Sequence, residues 1–324
     1  MEEASWEDAA FASATLMTAG LSLAANAAVA AVIQRVPATR GSSFARLSVS
    51  LAVSDCAALS GFTFVAAPAM LARRLAERTA FHRLFGACMV CCWFTSQAHM
   101  LALAVNRAVA MAAPVRYVVL FSTRVTNGAA AACWLFGLSI GVWALQDGCS
   151  LYFCPDKQTW DFEDTPCGQA VLHYAGQWLG SVLMAGILVG NLVALYFLRR
   201  SNSAIPNSLT EQEDDQRKRR WVEARLCLLT VGNVAALLTT TVPFTVFARL
   251  TTNRRLLYFC TTFVWILGHA SNGFLFLILL PEVRARLTCG GLRRATVHSE
   301  EPGLTQPPTC APEERYNTPQ FEMR

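Results

Sequence analysis

Charge is scarce in this chain. Asp, Glu, Lys and Arg make up 15% of its 324 residues, where a soluble domain carries about a quarter. The scarcity is also uneven. Residues Ala9–Ile33, Leu47–Ala72, Leu84–Asn106, Val125–Gln146, Cys167–Leu198, Leu226–Ala248 and Leu256–Pro281 carry no formal charge except Asp55. Each run holds at least 22 residues, enough to cross about 30 Å of hydrocarbon as a helix. A water-soluble domain is therefore excluded. No nucleophile–base set, glycine-rich phosphate loop or cluster of metal ligands stands out, so an enzyme is not expected. The adjacent Cys91 and Cys92 lack metal-site spacing. No internal repeat is visible, and seven runs do not divide into the paired halves common in transporters. A basic leader is missing too. Glu2, Glu3, Glu7 and Asp8 precede the first run, which reads as an anchor that stays in place rather than a cleaved signal peptide.

What is present is the frame of an all-α membrane protein, a seven-transmembrane helix bundle. The spans are expected at about 11–33, 45–72, 84–110, 125–146, 170–198, 222–248 and 256–280. Residues 1–10 form a short outer N-terminus, and 290–324 a tail rich in Pro, Ser, Thr and Glu that should be disordered. An odd number of spans puts the termini on opposite faces. With the N-terminus outside, the inner segments as far as Arg294 hold 16 Lys and Arg and the outer loops eight, which follows the positive-inside rule. After the last span, Val283, Arg284, Arg286 and Leu287 suit a short amphipathic helix on the inner surface. Cys289 beside it is either a lipidation site or a plain thiol.

Polar residues inside the spans carry the functional signal. Asp55 in span two is costly in hydrocarbon, so it either serves a function or makes a structural bond to Asn26 in span one. His99 in span three reads as an interhelical donor. Pro68 and Pro243 each free a backbone carbonyl and let their helices bend. Asn272-Gly273 is a weak point in span seven. Between spans four and five, Thr159-Trp160-Asp161-Phe162-Glu163 alternates as in a hairpin. Such a hairpin suits a lid over an outward pocket, closed by a Cys149–Cys167 bridge. A passive loop with free thiols, Cys154 among them, is the alternative. Arg73, Arg74, Arg249, Arg254 and Arg255 hint at an acidic ligand or at lipid headgroups. The run Arg217-Lys218-Arg219-Arg220 is a solvated helix end that can also hold a partner by charge. A bundle of this kind, changing between two packings, is a receptor, a channel or a transporter.

Residues 10–290 resemble a rhodopsin-type G-protein-coupled receptor. The carriers are Asn26, Leu51-Ala52-x-x-Asp55, Asn106-Arg107 at the end of span three, Trp134, Pro243 and Asn272, one set per helix in order. Within that superfamily the chain is similar to the nematode chemosensory receptors called serpentine receptor class X. Here the carriers are Ala104-Val105-Asn106-Arg107 with Pro114, Tyr117 and Phe121-Ser122, then Pro155-Asp156, Trp160-Asp161-Phe162, Pro166-Cys167 and His269-x-x-Asn272.

The resemblance implies a ligand-activated receptor, with a small molecule and a heterotrimeric G protein as partners. Membrane lipids surround it, and no nucleic acid is expected. It implies the plasma membrane, and for the nematode family the ciliary membrane of sensory neurons. Ligand contacts are implied at Trp93, Gln97, Gln177, Phe244, Phe247, Tyr258 and Trp265. Coupling is implied through Asn106, Arg107, Pro243, Asn272 and Phe276, with span six swinging about Pro243. No cofactor is implied beyond a structural sodium at Asp55, Ser96 and Asn272. Several departures stand out. Asn106 replaces the usual acid, so the ion pair that restrains the arginine is missing. Thr241 stands where a tryptophan is usual before Pro243. Asn272-Gly273-x-x-Phe276 lacks the proline and hydroxyl of the usual motif, which keeps open a degenerate receptor that only folds or escorts partners. The cysteine usual at the outer start of span three is absent, Cys88 lying too deep, which favours a bridge within the loop.

Overall fold

Ser5 starts the first helix. Its hydroxyl accepts the Asp8 amide at 3.2 Å, and the Asp8 carboxylate accepts the Ser5 amide at 3.0 Å, a reciprocal cap. The helix therefore begins at Trp6, earlier than the absence of charge alone suggests. A computed structural model describes residues 5–35, 41–72, 79–202, 211–281 and 283–287. Among them are seven helices long and apolar enough to cross a membrane: span one (Trp6–Ile33), span two (Ser43–Leu71), span three (Ala80–Ala112), span four (Thr123–Trp143), span five (Pro166–Arg200), span six (Ala224–Phe247) and span seven (Arg254–Leu279).

The other boundaries have local causes. The Ser42 and Thr79 hydroxyls accept the first free amides of spans two and three, and Asn253 caps span seven the same way. Span three ends at Ala112, because Pro114 disfavours helix in the residue before it. Pro114 then opens a short helix, Pro114–Leu120, where its missing N–H costs nothing.

Four spans widen into π-type turns at the end that carries the hairpin. They are Phe62–Ala66, Val171–Leu179, Pro243–Phe247 and Phe259–Phe263. The first lies just ahead of Pro68 and the third starts at Pro243, so the expected bends take the form of widened turns. Asn272-Gly273 does not break span seven, which runs on to Leu279. Its glycine serves close packing, since a Cβ there would come within 3.0 Å of Asn26.

Span three is central and packs against spans two, four and five. One apolar core fills the hairpin end around Phe62, Phe94, Trp160 and Ile266. A second fills the opposite end around Phe44, Leu103, Leu229 and Phe276. Trp134 of span four donates to Ser50 of span two at 3.0 Å, seating its indole in a seam. Large apolar side chains such as Leu135, Val182 and Val189 are exposed on the outer faces, as a lipid-facing surface requires.

The loop after span four pairs strand β1 (Leu151–Cys154) antiparallel with β2 (Thr159–Phe162), in the register Leu151 opposite Phe162. The hairpin lies across the start of span three, where a Cβ on Gly86 would strike the Leu151 carbonyl. After span seven, backbone at 281 and 283–287 is helical. Val283 and Leu287 pack on the second core, while Arg284 and Arg286 face out. Cys289 lies outside the described residues.

Candidate functional site

A cavity of about 430 Å³ opens beneath the hairpin. The widened turns bring it residues from three spans: Val171, Leu172, Ala175, Gly176 and Gln177 from five, Phe244 and Thr245 from six, and Thr261 from seven. Span three adds Val90, Trp93 and Phe94, and the hairpin adds Thr159, Trp160, Asp161 and Phe162. Trp265 closes the floor, with ring centroids 5.5 Å from Phe62, 5.6 Å from Trp93 and 6.1 Å from Phe244.

The lid is fixed at several points. Cys149 is bonded to Cys167, 18 residues on. The hairpin turn passes through Gln158 at φ +56°, a conformation that L-residues adopt rarely. Two contacts hold it there. Thr262 donates to the Gln158 carbonyl at 2.6 Å, and the Gln158 amide donates to Asp8 at 3.0 Å. Asp8 is buried and also takes Arg254, which in turn donates to the Pro155 carbonyl at 3.2 Å. Arg255 pairs with Glu7. The arginines that hinted at an acidic ligand are thus held by the chain's own first helical turn. Arg73 and Arg74 lie outside the described residues, as does the Arg249 side chain. At the cavity mouth Lys157 bonds Asp161 at 2.6 Å, a contact that holds the ammonium above its ordinary pKa.

Of the seven implied ligand contacts, Trp93, Gln177, Phe244 and Trp265 line the cavity. Three do not. Tyr258 is sealed between spans one and seven, its ring 4.5 Å from Phe11 and its hydroxyl 3.0 Å from Thr15. In an α-helix Tyr258 would share a face with Trp265 seven residues on. The wide turn at Phe259–Phe263 puts the two out of phase. Phe247 ends the wide turn of span six and is 51% exposed on the outer surface. Gln97 lies one turn deeper than Trp93 and faces Gly180 of span five. The sequence reading missed Trp160 and Phe162 as wall residues, although the alternating pattern already placed them in the hairpin.

Below the floor lies a polar centre. The Trp265 indole donates to His269 Nε2 at 3.1 Å, and His269 Nδ1 lies 2.8 Å from Asp55 Oδ1. An indole only donates, so Nε2 is the acceptor and the ring proton sits on Nδ1, facing Asp55. Ser96 donates to the same carboxylate oxygen at 2.9 Å. Asp55 is thus held by Ser96 and His269. Asn26 instead donates to the Ser22 and His269 carbonyls. Asp55 Oδ2 and both polar atoms of Asn272 are buried with no hydrogen-bond partner among the described residues. His269 was not expected as a site residue, though a buried Asp55 needs a donor and His269 lies one turn from Asn272. His99 bonds the Thr95 carbonyl of its own helix at 2.8 Å, not a residue on another span.

The opposite end gathers Asn106, Arg107 and Phe276. Arg107 is buried and donates to Asn106 Oδ1 at 2.7 and 3.2 Å, and to the Tyr117 hydroxyl at 3.4 Å. Its guanidinium lies 4.6 Å from the Phe44 ring centre, and that ring lies 6.2 Å from Phe276. Asn106 donates to Ser43 at 2.7 Å, and Ser43 meets Tyr117 at 2.6 Å. Pro243 is not at this end. It begins the wide turn that carries Phe244 into the cavity wall.

Comparison with known proteins fits this geometry. The family model described as serpentine type 7TM GPCR chemoreceptor Srx matches residues 17–279. Serpentine receptor class X 45 of Caenorhabditis elegans is 24% identical over 289 residues, covering 83% of this chain and 78% of that protein. The crystal structure of squid rhodopsin superposes with a TM-score of 0.70 at 13% identity, covering 93% of this chain and 90% of that one, a likeness of fold. The matched family consists of receptors, so the channel and transporter readings fall away. With most of its length matched, from within span one to the end of span seven, the chain belongs to the Srx family of seven-transmembrane G-protein-coupled chemoreceptors.

Proposed function

We propose that this receptor binds a small molecule in the cavity beneath the hairpin and passes the event to a heterotrimeric G protein at the Arg107 end. The N-terminus and hairpin face outside, across the plasma membrane. Two features support that orientation: the excess of Lys and Arg in the opposite loops, and the loop disulfide, which persists on an oxidising side.

One observation carries the reading, the path from Trp265 through His269 to Asp55 and Ser96. A ligand that moves Trp265 takes away the Nε2 partner of His269. His269 in turn loosens from Asp55, and the seam between spans two, three and seven repacks. Span six bends at the wide turn from Pro243, and Arg107 leaves Asn106 and Tyr117 to meet the G protein. Asp55 Oδ2 and Asn272 Oδ1 are orphaned buried oxygens, and His269 offers a hydrogen bond but no charge while Nε2 accepts from Trp265. A sodium ion held by Asp55, Ser96 and Asn272 would supply that charge and favour the resting packing.

The test is recruitment of an array of Gα C-termini in cells expressing the chain, across a panel of small metabolites. Recruitment that rises with one compound and is lost in Arg107→Ala is the expected result. A response that Arg107→Ala leaves untouched would remove the role given to that residue. Silence across the panel, with the protein at the surface, would return weight to an escort role.

A further inference from the structure

We propose that the ligand is an uncharged, mainly apolar molecule carrying an acceptor oxygen, of the ketone, ester or lactone class. The proposal rests on the reading above that the ligand occupies the cavity beneath the hairpin. It follows from how the polar groups of the wall are already committed.

Charge is the first constraint. Among the described residues the wall has two charged side chains, Lys157 and Asp161, bonded to each other. Beside the mouth, Arg254 and Arg255 are held by Asp8 and Glu7. A charge moved from water into an apolar cavity needs a counter-charge there. A carboxylate or an ammonium would have to break a pair that the fold has made. The wall itself is built on Trp93, Phe94, Trp160, Phe162, Phe244 and Trp265, which suits an apolar body.

Hydrogen bonding sets the second constraint. Most wall hydroxyls spend their proton on a backbone carbonyl. Thr240 donates to Ala236 and Val264, Thr245 to Thr241, Thr261 to Leu257, and Thr159 to Trp160. Donors are left over instead. Trp160 is 3% exposed and its indole N–H has no partner among the described residues. The buried Thr241 hydroxyl has none either. The Gln177 carbonyl is taken up by His173 at 3.1 Å, and the other nitrogen of that imidazole accepts from Trp178 at 3.1 Å. The Gln177 amide hydrogens remain. An indole N–H can only donate, and a buried donor left unmade is costly. A ligand oxygen that accepts from this set removes that cost. A hydroxyl-free hydrocarbon does not.

Four probes on one naphthalene body separate the possibilities: 2-acetylnaphthalene, 2-ethylnaphthalene, 2-naphthoic acid and 2-(2-aminoethyl)naphthalene. Purified full-length receptor in detergent is titrated with each, and the shift of its unfolding midpoint gives the affinity. The ketone is expected to bind about tenfold tighter than the ethyl compound, the scale of a hydrogen bond regained. The acid and the amine should bind more weakly than either. Trp160→Phe and Gln177→Leu should each cut the ketone's advantage and leave the ethyl compound within about twofold. Gln177 is only half-buried, so its variant keeps the test sound if Trp160→Phe folds poorly. Gly176→Phe fills the cavity, since a side chain there first meets Leu172 at 3.7 Å, and should abolish all binding. An acid or amine that binds tightest, yet is lost in Gly176→Phe, overturns the ligand class and leaves the site standing. Binding that survives Gly176→Phe overturns the cavity as the site. No shift with any probe, or a ketone advantage that survives both donor variants, overturns the proposal.

Discussion

The two ends of the bundle restrain their charges in different ways. At the hairpin end, cations meet carboxylates: Arg254 with Asp8, Arg255 with Glu7, Lys157 with Asp161 and Arg83 with Asp147. A disulfide closes the same loop. At the other end, the described contacts of Arg107 are an amide, a hydroxyl and a ring face. An ion pair that bridges span one, the hairpin and span seven makes a stiff rim. Ser43 meets both Asn106 and Tyr117, so one polar network ties spans two and three to the short helix after them. Ion pairs and a disulfide tie the hairpin end, and a network of amide, hydroxyl and ring contacts that includes Arg107 ties the other.

Five substitutions would break or sharpen that contrast, from the largest expected effect to the smallest. Cys149→Ala should lower stability by about 3 kcal/mol, the scale for a loop of this length. Unfolding in detergent reads it, and dithiothreitol on the wild type should reproduce the loss. Asp8→Asn removes the charge from the partner that Arg254 and Gln158 share. About 2 kcal/mol should go, less than for a fully buried pair because Arg254 keeps some access to water. Tyr117→Phe removes one hydroxyl that Ser43, Asn106 and Arg107 share. Stability should fall by about 1 kcal/mol, while Gα recruitment without ligand rises about fivefold. Asn106→Asp, which gives Arg107 an adjacent carboxylate, should move basal recruitment the other way. Asp161→Asn opens an exposed pair and should change stability by less than about 0.5 kcal/mol. If the Asp161 variant costs as much as the Asp8 variant, burial is not what makes the rim stiff.

Much of this architecture was legible in the sequence. Seven charge-free runs gave seven spans, because hydrocarbon tolerates little else. The alternation at Thr159–Glu163 gave the hairpin, and the loop cysteines gave a closure that the structure contains. Asp55 and Arg107 stood out because ionisable groups in spans are rare. What stayed hidden depends on helical phase and on distance along the chain. The family resemblance implied Tyr258 and Phe247 as cavity residues, and the wide turns rotate them away. The Arg254–Asp8 pair joins residues 246 apart, which no local pattern records. His269 carries no signal on its own. Its role shows only once Trp265 and Asp55 are seen on either side of it.

The wide turns have a consequence for how such a pocket could be rebuilt. Each holds one residue more than an α-helical turn needs. Closing the Phe259–Phe263 turn into regular α-helix with no residue lost would pass that extra residue on to the helix beyond it. Everything on the far side of the turn would then rotate by about 100° about the helix axis. The face that now seals Tyr258 against Phe11 would turn away from span one, and a different set of side chains would look into the cavity. One local change of winding could thus change the chemistry of one wall at a stroke, where substitution would need several independent changes.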